Sequence, residues 1–243
     1  MVVVVIAIVA ITHKGSNNAA GDRRVAPTSV TGPATSVPVS VLDSVGVGSV
    51  TSLPKGVNAT PLATSKPEVL FVGGEFCPYC AAERWGIVGA LSRFGTFSNL
   101  KEISSSSTDV YPNTATFSFY KSSYTSRYLT FDPKEETDRA EKPLEKLTSA
   151  EQTTMSKYTT GVPFIDFDGK SVLVTPSYDP QTLKGLTQQQ IADQLKDPTS
   201  KVAKAVDGAN NVLTAAVCQV TNNQPSSVCS DKTITSIESQ IHA

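Results

Sequence analysis

Two cysteines three residues apart carry the clearest chemistry in this sequence, in the string Phe76-Cys77-Pro78-Tyr79-Cys80. A thiol reacts as its thiolate, so a reactive cysteine must be acidified and reachable. If a helix starts at Pro78, Cys77 lies at its first turn, where unpaired N–H groups and the helix dipole favour an anion. Cys80, one turn further in, is then close enough to attack a mixed disulfide on Cys77 and release the partner. Three other readings compete: half of a zinc site, an inert structural bridge and a chance pair. The zinc reading lacks its other half, because Cys218 and Cys229 are eleven residues apart and the only histidines, His13 and His242, sit beside the termini. No metal and no cofactor is expected. An inert bridge gives no reason for a strand-to-helix joint.

That joint follows from the flanking pattern. Glu68 to Val72 is a short, β-branched apolar run ended by Gly73-Gly74, which reads as a buried strand. After the motif, Ala81, Trp85, Val88, Leu91 and Phe94 recur at spacings of three and four, an amphipathic helix with Pro78 in its first position and Gly95 as its stop. Trp85 is expected in the core, and a solvated face explains Glu83 and Arg84 as well as a catalytic role does. Leu100 to Ser106 reads as a second strand, and the alternating runs Thr116–Lys121 and Tyr128–Asp132 as a hairpin or an extension of the sheet. Thr148 with Glu151 and Thr187 with Gln190 look like capping boxes opening two helices. Between them, Val162-Pro163 leads a strand to Phe167, and Asp168-Gly169 turns it into an antiparallel return over Ser171–Val174. A long helix over about 200–220 and a short one carrying Ile234, Ile237 and Ile241 close the chain.

The order is strand, CxxC helix, strand, insertion, helix, proline-led strand, hairpin strand, helix. In that order, with Phe76-Cys77-Pro78-Tyr79-Cys80 after one strand and Val162-Pro163 before another, the region from about 67 to 196 resembles the thioredoxin superfamily. More closely, Gly74-Glu75-Phe76-Cys77-Pro78-Tyr79-Cys80-Ala81-Ala82-Glu83-Arg84-Trp85, Thr116-Phe117-Ser118-Phe119-Tyr120 and Val162-Pro163-Phe164-Ile165-Asp166-Phe167 look like an uncharacterised thioredoxin-like family, domain of unknown function 929, often found behind a membrane anchor. The resemblance implies an α/β, thioredoxin-like fold: a central mixed sheet flanked by helices, here with a strand insertion and a C-terminal helical extension. It also implies that Val162–Pro163 is cis and faces the motif, and that Pro78, Tyr79, Val162 and Pro163 shape the substrate site. One departure stands out. Thioredoxins carry a buried acid in the strand before the motif; Phe71 stands at about that place here, and the nearest acid, Glu75, is expected at the surface.

Composition narrows the remaining choices. Twenty-one Lys and Arg against 22 Asp and Glu give a formal net charge of -1, which excludes a broad basic surface for nucleic acid. Val2 to Ile11 is an unbroken apolar run. Ten residues rise only about 15 Å as a helix, half a bilayer core, so residues 1–14 read as part of a membrane anchor. Lys14, Arg23 and Arg24 after it oppose export by the positive-inside rule. Residues 15–66, rich in Ser, Thr, Pro and Gly, read as a flexible linker in which Val37–Val50 is apolar enough to dock as a short element. Within it, Asn58-Ala59-Thr60 matches a glycosylation sequon, a triplet that also arises by chance in a Thr-rich stretch. The thioredoxin-like domain is then 67–243, with the helical extension over about 197–243.

Four cysteines allow three pairings, and joining Cys77 to Cys80 and Cys218 to Cys229 needs no long-range assumption. A structural Cys218–Cys229 bridge persists only outside a reducing cytosol, which favours export. The expectation is a membrane-tethered, extracytoplasmic thiol–disulfide oxidoreductase with Cys77 attacking and Cys80 resolving. Its partners would be cysteine-containing exported proteins and a membrane redox partner. The alternatives are a non-catalytic thioredoxin-like adaptor whose CxxC is a structural bridge, and a cytosolic glutaredoxin-like reductant.

Overall fold

The computed structural model describes residues 23–63 and 65–241. Its N-terminal part carries β1 (Arg24–Val25), α1 (Thr28–Thr35), α2 (Val39–Val45) and β2 (Lys55–Gly56). Then follow β3 (Glu68–Gly73), α3 (Pro78–Ser92), β4 (Gly95–Ser98), β5 (Lys101–Ser104), β6 (Ala115–Ser118), β7 (Ser123–Ser126) and β8 (Thr130–Glu135). Beyond them lie α4 (Ser149–Ser156), β9 (Phe164–Phe167), β10 (Ser171–Leu173), a 3-10 turn over Pro180–Leu183, and α5 (Gln188–Gln194). The chain closes with α6 (Lys201–Val220), α7 (Ser226–Cys229) and α8 (Lys232–Ile241). The apolar run Val2–Ile11 and the expected anchor over 1–14 lie outside the described residues. Among the described residues, no helix is long and apolar enough to cross a membrane.

The centre is a mixed five-stranded sheet in the order β2-β10-β9-β3-β8, flanked by helices. Only β3 and β8 run parallel; the other neighbours are antiparallel. Side chains alternate across a strand, so the two faces separate cleanly. Val69, Phe71, Ile165 and Phe167 join the large core with α3 and α6, while Leu70, Val72, Phe164 and Val172 pack with Met155 of α4 on the other face. Both capping boxes are present, with the Thr148 and Thr187 hydroxyls accepting from the Glu151 and Gln190 amides. Cys218 and Cys229 are joined in a disulfide that ties α6 to α7.

Three expectations need correction. The stretch 15–66 is not a flexible linker from Arg23 onward. Prolines 27 and 38 occupy the N-cap positions of α1 and α2, and Val30, Ala34 and Leu42 are buried. Asn211 donates to the Leu42 and Gly46 carbonyls at 2.8 Å each. A Cβ at Gly208 would lie 2.4 Å from the Val47 carbonyl oxygen, so the segment rides close on α6 because that position lacks a side chain.

The runs around Phe117 and Phe131 do not form a hairpin, although the second does extend the central sheet, as the edge strand beside β3. β6 pairs with β5 in a three-stranded sheet with β1, β8 lies beside β3, and β7 between them pairs with β4. Alternation decides which face a residue takes and not which strand it meets. Finally, α3 ends with Arg93 as C-cap, and Gly95 opens β4 rather than stopping the helix. Its bare Cα is needed for close approach, since a Cβ there would sit 2.4 Å from the Thr125 carbonyl oxygen.

Candidate active site

Cys77 is the N-cap of α3 and Pro78 its first helical residue, so the motif lies on the expected strand-to-helix joint. Proline suits that position because its missing N–H would be unpaired there anyway. The Cys77 Sγ accepts the Cys80 backbone N–H at 3.2 Å, the hydrogen bond an N-cap side chain makes. The loop before it is pinned. Cys77 N–H donates to the Gly74 carbonyl at 3.2 Å, Glu75 N–H to Thr137 at 2.9 Å, and Ser106 N–H to Phe76 at 2.8 Å. A Cβ at Gly73 would come within 2.5 Å of the Phe71 ring and 3.5 Å of the Cys80 sulfur, so glycine lets the strand end pass over that thiol.

The two thiols differ in access and in acidity. Cys77 retains 4% exposure, Cys80 none. The hydrogen bond from Cys80 holds the Cys77 thiol below its ordinary value against the effect of burial, helped by the Cys80 and Tyr79 amides and by the Arg84 charge. Burial pushes Cys80 well up, and its neighbour Cys77 adds to the rise while Arg84 opposes it. Expected openness at Cys77 is therefore narrower than the motif suggested: Tyr79, at 37% exposure, is the outermost residue of the string. Its ring meets Tyr111 edge-on, with centroids 5.9 Å apart.

Val162 and Pro163 come to the same place. The Val162–Pro163 bond is cis, and the Val162 carbonyl lies 3.9 Å from the Cys77 sulfur. Pro163 is buried and Val162 half-buried. An open groove of about 690 Å³ begins there, lined by Gly74, Phe76, Glu145, Leu147, Gly161 and Val162 among others. Cys77, Pro78, Tyr79, Cys80, Val162 and Pro163 thus share one site, while the Cys218–Cys229 bridge stands apart in the C-terminal helices.

The charged residues around the motif overturn the surface reading. Glu75, Glu83 and Arg84 are all fully buried. Arg84 Nε donates to Glu135 Oε1 at 2.8 Å, and Nη2 to Glu135 Oε2 at 2.5 Å and to the Gly74 carbonyl at 2.9 Å. Glu83 accepts the Ser177 N–H and hydroxyl at 2.7 and 2.8 Å, and burial pushes its carboxyl up to about 7 despite them. Glu75 receives a two-pronged contact from Arg23 and the Ser118 hydroxyl. One signal in the sequence pointed this way. Between Ala81 and Leu91 every residue except Glu83 and Arg84 is apolar or glycine, so α3 has no polar side to turn to water. Trp85 is in the core as expected, donating to the Ala115 carbonyl at 2.9 Å.

A family model described as "Domain of unknown function (DUF929)" matches residues 55–219. The chain belongs to this family. No curated protein and no solved structure matches the chain. The DUF929 match runs from β2 into α6 and so contains the cysteine pair, Arg84, Glu135 and Val162, whereas Arg23 and Cys229 fall outside it.

Proposed function

We propose that this DUF929 protein is a membrane-tethered, extracytoplasmic thiol–disulfide oxidoreductase with a thioredoxin-like fold, acting on cysteines of exported proteins and renewed by a membrane redox partner. The observation that carries the reading is the asymmetry of the pair. Cys77 sits at a helix N-cap with its sulfur hydrogen-bonded and its thiol acidified, and Cys80 lies one turn inside with its thiol held protonated. The helix N-terminus favours the thiolate on the outer sulfur. The mixed sheet with the motif between β3 and α3, and the nearness of Val162 to Cys77, agree with the thioredoxin-like reading. The Cys218–Cys229 bridge fits an oxidising compartment.

In the reducing direction, the Cys77 thiolate attacks one sulfur of a client disulfide. A Cys77–client S–S bond forms and the other client sulfur leaves as thiolate. Cys80 then loses its proton and attacks the Cys77 sulfur, forming the Cys77–Cys80 disulfide and freeing the second client thiol. Two electrons pass to the client, and oxidation of a client dithiol is the same sequence reversed. The groove beside Val162 offers room for the client chain, with Pro78, Tyr79 and Pro163 around the sulfur.

Trapping tests this. Cys80→Ser should accumulate mixed disulfides with clients, since attack proceeds and resolution is lost, while Cys77→Ser should capture almost none. The 4% exposure of Cys77 favours one other reading, a non-catalytic adaptor; a structural CxxC bridge would require the two thiols, which are free in this structure, to be joined. Failure of both variants to trap, together with no insulin reduction, would establish the adaptor.

A further inference from the structure

Four charges alternate in sign behind the cysteine motif; three are fully buried, and the outermost, half-buried one comes from the N-terminal segment. Arg84, one turn beyond Cys80, pairs with Glu135 at the end of β8; both side chains are 0% exposed. Glu75, two residues before Cys77 and equally buried, accepts Arg23 Nε and Nη2 at 2.6 Å each. Arg84 Nη2 also donates to the carbonyl of Gly74, the residue before Glu75, at 2.9 Å, and Glu75 acts favourably on the Arg84 charge, so the two pairs adjoin. Arg23 is 17% exposed, lies over the Tyr120 ring at 4.9 Å and feels the Asp138 charge. With Arg23 docked, two guanidinium groups balance two carboxylates. Without it, the interior behind the thiols holds one uncompensated negative charge. Such a charge disfavours a nearby thiolate, and a dry interior screens it poorly.

We infer that Arg23 is a positioning residue for the cysteine pair: docking of the N-terminal segment through Arg23 keeps the site charge-balanced and reactive. This rests on the redox reading and extends it by giving the N-terminal segment control over the site. Arg84 favours the thiolate of both cysteines; Glu75, two residues before Cys77, opposes it by its own charge, and Arg23 offsets Glu75. The groups involved are therefore Arg84 from α3, Glu135 from β8, Glu145, which accepts the Glu135 N–H at 2.9 Å and feels its charge, Glu75 from the loop after β3, and Arg23 with its neighbours Tyr120 and Asp138. The segment is secured beside the site by the β1–β5 pairing of Arg24 with Glu102 and by Ala26 N–H to the Leu100 carbonyl at 2.9 Å.

The test is the pH profile of Cys77 alkylation by iodoacetamide in the reduced full chain. Arg23→Gln should raise the midpoint by about 0.5–1 pH unit, slowing alkylation about 3–10-fold below it. Glu75→Gln should lower the midpoint, the double variant should return close to the parent, and Arg23→Lys should stay near it. A merely structural contact would move both single variants the same way and make the double variant worst, which would overturn the inference. So would an unmoved midpoint in Arg23→Gln. If Glu75→Gln does not fold, Arg23→Lys against Arg23→Gln decides, equal shifts counting against it. Alkylation reads the thiol and not exchange, so a protein that shows this pattern but traps no client would sink the redox reading alone.

Discussion

Removing the Arg84 guanidinium should cost far more than removing the whole ion pair. Arg84→Met deletes the contacts to Glu135 at 2.8 and 2.5 Å and to the Gly74 carbonyl at 2.9 Å. The Glu135 carboxylate would remain fully buried, with the Phe119 N–H at 3.2 Å and little else to replace the lost charge. Breaking a buried pair from one side typically costs about 3–5 kcal/mol, against a total stability of about 5–15 kcal/mol for a domain. Arg84→Met with Glu135→Leu removes both charges and leaves one neutral backbone group, the Phe119 N–H, short of a partner at about 1 kcal/mol, since the Gly74 carbonyl keeps the Cys77 N–H. The double variant should thus be about 2–4 kcal/mol more stable than Arg84→Met alone. Urea unfolding with the slope checked against the parent measures this. A double variant as unstable as the sum of the two singles would refute the reasoning, because it would mean the charges do not depend on each other.

Other expected outcomes follow from separate parts of the molecule. Cys218→Ser should lower stability by about 3 kcal/mol, the loop-closure value for a bridge spanning so few residues, and the Tm shift should vanish when both proteins are reduced. Asp207 is buried with neither oxygen hydrogen-bonded, and burial raises its carboxyl from 3.8 to about 8. Its folded value is the higher one, so the stability it supports is full below about pH 4 and declines as pH rises to about 8. Asp207→Asn should flatten that decline and exceed the parent by about 1–3 kcal/mol at pH 8, read as Tm against pH. Gly208→Val should push the Val47 backbone away, since even a Cβ would lie 2.4 Å from its oxygen. Limited proteolysis should then cut residues 39–50 faster, and unchanged cleavage would show that the close approach does not hold the segment.

The local signals in the sequence were enough for most elements and for the motif's position. An N-cap, a capping box or a Pro at the first helical position depends on residues within one turn, and Cys77, Thr148 and Thr187 all cap the helices their neighbours announced. The turn at Asp168-Gly169 likewise needs only two residues able to take positive φ, here 50° and 67°. Partners were another matter. Glu75, Glu83 and Arg84 read as surface residues because the groups that neutralise or hydrogen-bond them lie 52, 94 and 51 positions away, at Arg23, Ser177 and Glu135. The segment 23–63 read as a linker for the same reason: its fit depends on what α6 lacks at Gly208 and offers at Asn211. Burial of a charge, choice of strand neighbour and docking of a polar segment are set by chain that is distant in sequence and near in space. Composition and period carry no record of those distances, so the thiols were legible from the residues around them, while the charges beneath them were decided by the tertiary structure.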